Sequence, residues 1–199
     1  PGIIMEQDGK TMILLPGPPN ELIPMFEKSI VPSLEALQPG VICSKTVKVC
    51  GIGESKAETM VSDLIAAQTN PTIATYAKTG EVHLRVTAAA DTEKEAKQLM
   101  KPMVKELKYR FGDAVYTTKE EVTLEQAVVE MLKENHLTVT TAESCTGGMV
   151  AARLVNVPGV SECLKAGYIT YADKAKHKLL GVRKGLLKKK GAVSAEVAE

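Results

Sequence analysis

Ser144 stands at a junction where the backbone itself can assist chemistry. The alternating run Leu137-Thr138-Val139-Thr140 reads as a strand, and Met149-Val150-Ala151-Ala152-Arg153-Leu154 reads as a helix. Between them lies Thr141-Ala142-Glu143-Ser144-Cys145-Thr146-Gly147-Gly148. Orphan N–H groups and the positive end of the dipole converge at a helix start, where they receive an anion or a developing oxyanion. Glu143, Cys145, Thr146, Gly147 and Gly148 therefore frame a candidate oxyanion or substrate-binding site around a serine nucleophile. A helix N-cap followed by a glycine turn would carry the same local signature.

A base for that serine comes from a second segment. Asp173 is a good N-cap for a helix that runs to Gly181. At about 100° per residue, Lys176 falls between Leu179 and Leu180, whereas Lys174, His177 and Lys178 fall on the other side. Burial and a position in the first helical turn both disfavour an ammonium there, so a neutral amine able to take a hydroxyl proton is expected. Activity should then fall in acid as that amine protonates. The alternative is a lysine whose stem covers the leucines while its head reaches water. Tyr171, at the end of the β-prone run Tyr168-Ile169-Thr170-Tyr171, supplies a proton relay.

Two neighbours compete for these roles. Cys145 is intrinsically the stronger attacker, but adjacent residues at a turn point in different directions and only one can face the site. His177 would make a Ser-His pair, yet its helical angle turns it away from the apolar face.

The runs T-A-E-S-C-T-G-G (141–148), G-Y-I-T-Y-x-x-x-A-K-x-x-L-L-G-V (167–182) and Gly191-Ala192-Val193-Ser194 resemble the C-terminal domain of the competence/damage-inducible CinA family. That resemblance implies a nicotinamide mononucleotide deamidase, which hydrolyses the nicotinamide carboxamide to a carboxylate and ammonia. It carries over Ser144, Tyr171 and Lys176 as the catalytic set and favours Ser144 over Cys145. It further implies no cofactor for the deamidase, a homodimer, and a domain that continues past Glu199 to complete its pocket with a glycine-rich segment. A non-catalytic nucleotide-binding or scaffold protein of the same architecture is the alternative.

Composition bounds these readings. A chain of 199 residues, 44% apolar, can hold one large core or two to three small ones. No apolar run approaches the roughly 18 residues of a membrane span, and no signal peptide opens the chain. It starts at Pro1-Gly2 and reads as part of something longer. Cys43, Cys50, Cys145 and Cys163 lack C-x-x-C spacing and read as reduced thiols of a cytoplasmic protein rather than a disulfide frame or zinc site. A net charge of +1 gives no general argument for nucleic acid or membrane.

Three segments follow, making an α/β and α+β multi-domain chain. In 1–40, Asp8-Gly9 between two apolar runs signals a hairpin, and Pro16-Gly17-Pro18-Pro19 turns the chain toward a helix. The segment resembles the tail of the MoCF-like (molybdopterin-binding-like) α/β domain of the same family. Pro16, Gly17 and Pro18 would then be the remnant of a ligand loop. The remainder of that domain would precede Pro1, and its ADP-ribose pyrophosphatase site is the one place where a divalent metal is implied.

Residues 41–118 read β-α-β-β-α-β, with a first strand at 46–50 and Pro102 expected to kink or split the last helix. The order resembles the family's KH-like middle domain. Its Gly51-Ile52-Gly53-Glu54 follows a strand, has the wrong spacing for a G-x-x-G clamp and carries an acid, which argues against RNA. Packing and dimer contacts are the expected roles.

Residues 119–199 read as an α/β layered domain, the first half of the deamidase unit, opened by a Thr123/Gln126 capping box. Strands are expected at 137–141 and 167–171. Lys184, Lys188, Lys189 and Lys190 form a solvated basic face or, in the alternative, a site for the substrate phosphate.

Overall fold

The computed structural model describes residues 2–37 and 40–199. The chain divides into two compact units, Pro1–Thr118 and Lys119–Glu199.

The first unit begins with an antiparallel hairpin, β1 (Ile3–Gln7) and β2 (Lys10–Leu14). Asp8 and Gly9 at its tip have φ of 53° and 71°. Both central residues are thus left-handed, as a tight hairpin requires and as Asp-Gly permits. Pro16-Gly17-Pro18 leads into α1 (Pro19–Met25), with the Pro18 carbonyl accepting from the amides of Glu21 and Leu22 at 3.0 and 2.9 Å. Pro24 has no amide to give to this helix, and a π-helical turn over Phe26–Ile30 follows before α2 (Val31–Leu37).

Next come β3 (Val41–Cys50), α3 (Glu54–Ala67), β4 (Thr72–Lys78), β5 (Glu81–Ala90), α4 (Glu93–Phe111) and β6 (Val115–Thr117). The four strands form an antiparallel sheet in the order β4-β5-β3-β6. β3 begins five residues earlier than its apolar run suggests, because Val41–Cys50 pairs with β5 along its whole length. Every second strand residue faces the core: Val47 and Val49 meet Val82, Leu84 and Val86, covered by Ala57 and Val61 of α3 and by Ala96, Met100, Leu107 and Phe111 of α4. Each such Val or Leu contributes about 1.5–3 kcal/mol through burial.

Pro102 neither splits nor ends α4, which is one helix of 19 residues. The proline lies on the exposed side, where water can serve the Gln98 carbonyl that it leaves unpaired. Arg110 of α4 ties the two helices together, donating to both carboxylate oxygens of Asp63 at 2.5 and 2.8 Å and to the Met60 carbonyl at 2.8 Å. The hydrogen bond from Arg110 is the main reason the Asp63 carboxyl is lowered to about 2.

The second unit opens with α5 (Leu124–Glu134). Its capping box is formed: Thr123 Oγ1 accepts from the Gln126 amide at 3.3 Å, and Gln126 Oε1 accepts from the Thr123 amide at 2.8 Å. β7 (Val139–Glu143) follows, then α6 (Met149–Val155) and β8 (Leu164–Ile169), the two strands pairing in parallel. The chain ends with α7 (Asp173–Leu180), α8 (Lys184–Lys190) and α9 (Ala195–Ala198). Val129, Leu154, Val157 and Cys163 make a small core.

Gly167 permits close packing here. A Cβ on it would lie 3.1 Å from Thr141 Oγ1 and 3.4 Å from Ala151 Cβ, so α6 can approach the strand pair only over a bare backbone. The strands are displaced from their expected limits of 137–141 and 167–171. Glu143 becomes the last residue of β7, and Tyr171 lies beyond the end of β8. The parallel register, from Val139 opposite Leu164 to Glu143 opposite Ile169, sets these ends rather than local β-propensity.

All four cysteines are free thiols. Among the described residues no helix is long and apolar enough to cross a membrane.

Candidate active site

Parallel pairing puts the C-terminal ends of β7 and β8 at the same edge of their sheet, where α/β folds present functional groups. Ser144 follows the end of the first strand directly, and Lys176 sits in the first turn of the helix after the second. Thr170 joins the two ends: its amide and Oγ1 donate to the Glu143 carbonyl at 2.7 and 3.3 Å. Lys176 Nζ lies 3.1 Å from Ser144 Oγ and donates to the carbonyls of Thr170 and Tyr171 at 2.9 and 2.8 Å. Lys176 is only 6% exposed.

This arrangement suits either protonation state of the lysine. An ammonium has three N–H groups for three oxygens. A neutral amine has two N–H groups and one lone pair. Both carbonyls can only accept, so the two N–H groups go to them and the lone pair is left facing the Ser144 hydroxyl.

The burial of Lys176 has a different cause from the one its helical angle suggests. Leu179 and Leu180 are 59% and 39% exposed, so no leucine face shelters the amine. The turn of chain from Thr170 to Tyr171 folds back over it instead. Thr170, 2% exposed, is a member of the site that residue typing alone passed over. The signal was a β-branched polar residue in the strand run immediately before Tyr171.

The tyrosine is used differently too. It offers its backbone carbonyl to Lys176, while the residue is 73% exposed and its hydroxyl has no hydrogen-bond partner among the described residues. His177 is turned away from the serine, its Nδ1 2.8 Å from the Val182 carbonyl oxygen. Cys145 is exposed beside Ser144 and makes no hydrogen bond with the lysine.

The start of α6 is already occupied. Glu143 Oε2 accepts from the amides of Gly148 and Val150 at 3.0 Å each, and Oε1 accepts from Ala151 at 2.9 Å. Gly147 donates to the Ser144 carbonyl and Met149 to the Thr146 carbonyl, both at 3.0 Å. Burial alone would push the Glu143 carboxyl up, but the amides of Ala151 and Val150, the Thr146 hydroxyl and the Gly148 amide together hold it below the ordinary glutamate value. A carboxylate thus fills the place where an external anion would bind, so the amides of Gly147 and Gly148 are not available to an oxyanion or phosphate. Among the described residues the amides of Cys145 and Thr146 have no acceptor, and they follow Ser144 directly in the turn. Gly148 is left-handed, with φ of 96°, and a Cβ there would meet Ile169 Cδ1 at 2.9 Å.

The other candidate residues belong to other elements. Pro16, Gly17 and Pro18 belong to the first unit, in the loop from β2 to α1. Lys184, Lys188, Lys189 and Lys190 are on α8, where Lys190 pairs with Glu196. No cluster of His, Cys, Asp and Glu suited to a metal ion occurs among the described residues.

A family model described as the CinA C-terminal domain matches residues 121–199, and one described as the damage-inducible protein CinA KH domain matches residues 44–117. The chain is 52% identical over 198 residues to a putative competence-damage inducible protein of Clostridium beijerinckii and, at the same identity, to a CinA-like protein of Dictyoglomus turgidum. Both alignments cover 100% of this chain and 48% of the relative, so the chain spans about half the length of the curated relatives it matches. The crystal structure of competence/damage inducible protein CihA from Agrobacterium tumefaciens is 39% identical over 38% of this chain and 46% of that one, with a TM-score of 0.37.

Proposed function

The chain carries the KH-like and C-terminal domains of the CinA family, and from that premise we propose that its second unit is the serine-lysine centre of an amidase acting on nicotinamide mononucleotide. The observation that carries this reading is the 3.1 Å contact between a buried lysine amine and the Ser144 hydroxyl at the carboxyl edge of a parallel strand pair.

Lys176, with its two N–H groups held by the Thr170 and Tyr171 carbonyls, takes the Ser144 proton as Oγ attacks the carboxamide carbon. The charge that gathers on the amide oxygen is received by the free amides of Cys145 and Thr146. The Lys176 ammonium then returns the proton to the departing nitrogen, the C–N bond breaks, and ammonia leaves. A water attacks the resulting serine ester, giving its proton to Lys176, and Lys176 returns that proton to Oγ as the acyl C–O bond breaks, yielding the acid and free Ser144. The overall change is amide plus water to acid plus ammonia. No step draws on a metal or an organic cofactor. Tyr171 contributes its carbonyl to hold the base rather than its hydroxyl to move a proton.

Ammonia release from nicotinamide mononucleotide tests the reading. Ser144→Ala is expected to abolish turnover while leaving nucleotide binding intact, and Cys145→Ala to retain turnover. Full activity in Ser144→Ala would remove the serine from the mechanism; loss in Cys145→Ala alone would transfer the role to the thiol. We assign to the protein as a whole the family's second substrate, ADP-ribose, at a MoCF-like domain whose tail 1–40 represents, and a homodimeric assembly. Pyrophosphatase assay and sedimentation check these two assignments.

A further inference from the structure

The first unit has a second feature that the amidase reading leaves unused. β3 pairs with β5 along its full length, but on its other side it pairs with β6 only at Lys48 and Val49. From Val41 to Lys45 the β6-side edge has no strand beside it among the described residues. Backbone N–H and C=O groups along such an edge are ready to pair with another extended chain.

A cavity of about 750 Å³ lies between that edge and α4. Its floor is apolar, made by Cys43, Met100 and Val104. Its rim carries five cations, Lys45 from the strand and Lys97, Lys101, Lys105 and Lys108 from the helix, against one acid, Glu93. At about 100° per residue the four helical lysines fall within about 80° of one another, a single row. With a rise of about 1.5 Å per residue that row is about 16 Å long, the span of about five residues of extended chain, which is also the length of the open edge. Lys97 pairs with Glu93 at 2.8 Å, whereas Lys45, Lys101, Lys105 and Lys108 have no ion-pair partner among the described residues.

The geometry points to a docking groove for an extended acidic peptide of another protein, which adds a strand to the free edge of β3 and lays alternate side chains over α4. Main-chain hydrogen bonds to Val41–Lys45 would hold it, apolar side chains would enter over Met100 and Val104, and carboxylates would meet the lysine row. Charge decides between this occupant and the others. Pairing of β3 with a second copy would set one lysine row beside another, and like charges at close range repel. A single-stranded nucleic acid would satisfy the lysines, but among the described residues no aromatic side chain lines the groove to stack its bases.

The test uses the 199-residue chain and a fluorescein-labelled eight-residue peptide of sequence Glu-Ser-Val-Ser-Glu-Ser-Val-Ser, whose Glu and Val share one face of a strand, followed by anisotropy. Binding is expected, and the Lys101→Glu/Lys105→Glu variant, which reverses two exposed cations without partners, should weaken it by about tenfold or more. N-methylation of every second peptide amide should weaken it comparably in one of the two registers and little in the other, since only one set of amides faces β3. Lys188→Glu/Lys189→Glu on α8 should leave it unchanged. Absence of binding, indifference to N-methylation in both registers, or equal loss from the α8 variant would each overturn the proposal. Tighter binding of an oligothymidylate probe than of the peptide would overturn it in favour of nucleic acid.

Discussion

Lys176 makes three hydrogen bonds with one nitrogen, and two of them hold main-chain carbonyls that no other side chain serves among the described residues. Lys176→Met keeps the length of the stem and removes the nitrogen. It is expected to reduce ammonia release by about 10²–10⁴-fold, the usual worth of a positioned general base. It should also lower stability by about 1–3 kcal/mol, because the buried Thr170 carbonyl loses its donor. Turnover and thermal unfolding measured on the same preparation separate the two effects; unchanged turnover would exclude Lys176 as the base. Typing and spacing pointed to Ser144 and Lys176, whose side chains lie 3.1 Å apart. They misjudged how the lysine is buried, because a helical angle describes one helix and not the Thr170–Tyr171 turn that closes over it.

Glu143 shows how an element is made self-sufficient. α6 is one of the short helices, and its first amides would be left open by the sharp Gly147-Gly148 turn. The last side chain of β7 satisfies three of them from the strand side. The strand end, the turn carrying Ser144 and the helix start thereby become one rigid piece. Glu143→Gln replaces one accepting oxygen with an NH₂ group that faces amide donors, so this unit should unfold at lower temperature at neutral pH.

The acid response has a definite sign. The Glu143 carboxyl is held below its ordinary value of 4.5 in the folded chain. Its stabilising effect is therefore present above that value and is lost as pH falls through the lower, folded one. Unfolding followed from pH 7 into acid should show the melting temperature falling more steeply in the parent than in Glu143→Gln. Equal slopes would deny the carboxylate its role at the helix start. The same residue typing that placed Glu143 near the site assigned the neighbouring amides to a substrate oxyanion. A carboxylate supplied by the chain is a permanent competitor for them, and only the β7–α6 packing shows it already bound.

Two cores of unequal size sit in the two units. Among the described residues, thirteen buried ones form the core of the first and four form that of the second. Calorimetry should therefore resolve two transitions, the lower belonging to residues 119–199. Val129→Ala is expected to lower only the first transition and Val61→Ala only the second, each by roughly 2 kcal/mol; one shared shift would mean a single cooperative unit. The β-α-β-β-α-β order, the Asp8-Gly9 hairpin, the Thr123 capping box and the serine turn were all legible in the amino-acid order. Each depends on contacts a few residues apart, through backbone preference, capping and apolar period. The pairing of β7 with β8 was decided by the folded chain, as were the 3.1 Å approach of two side chains 32 residues apart, the capture of α6 by Glu143 and the open edge of β3. These are products of packing between distant segments, whose register and burial no local pattern encodes.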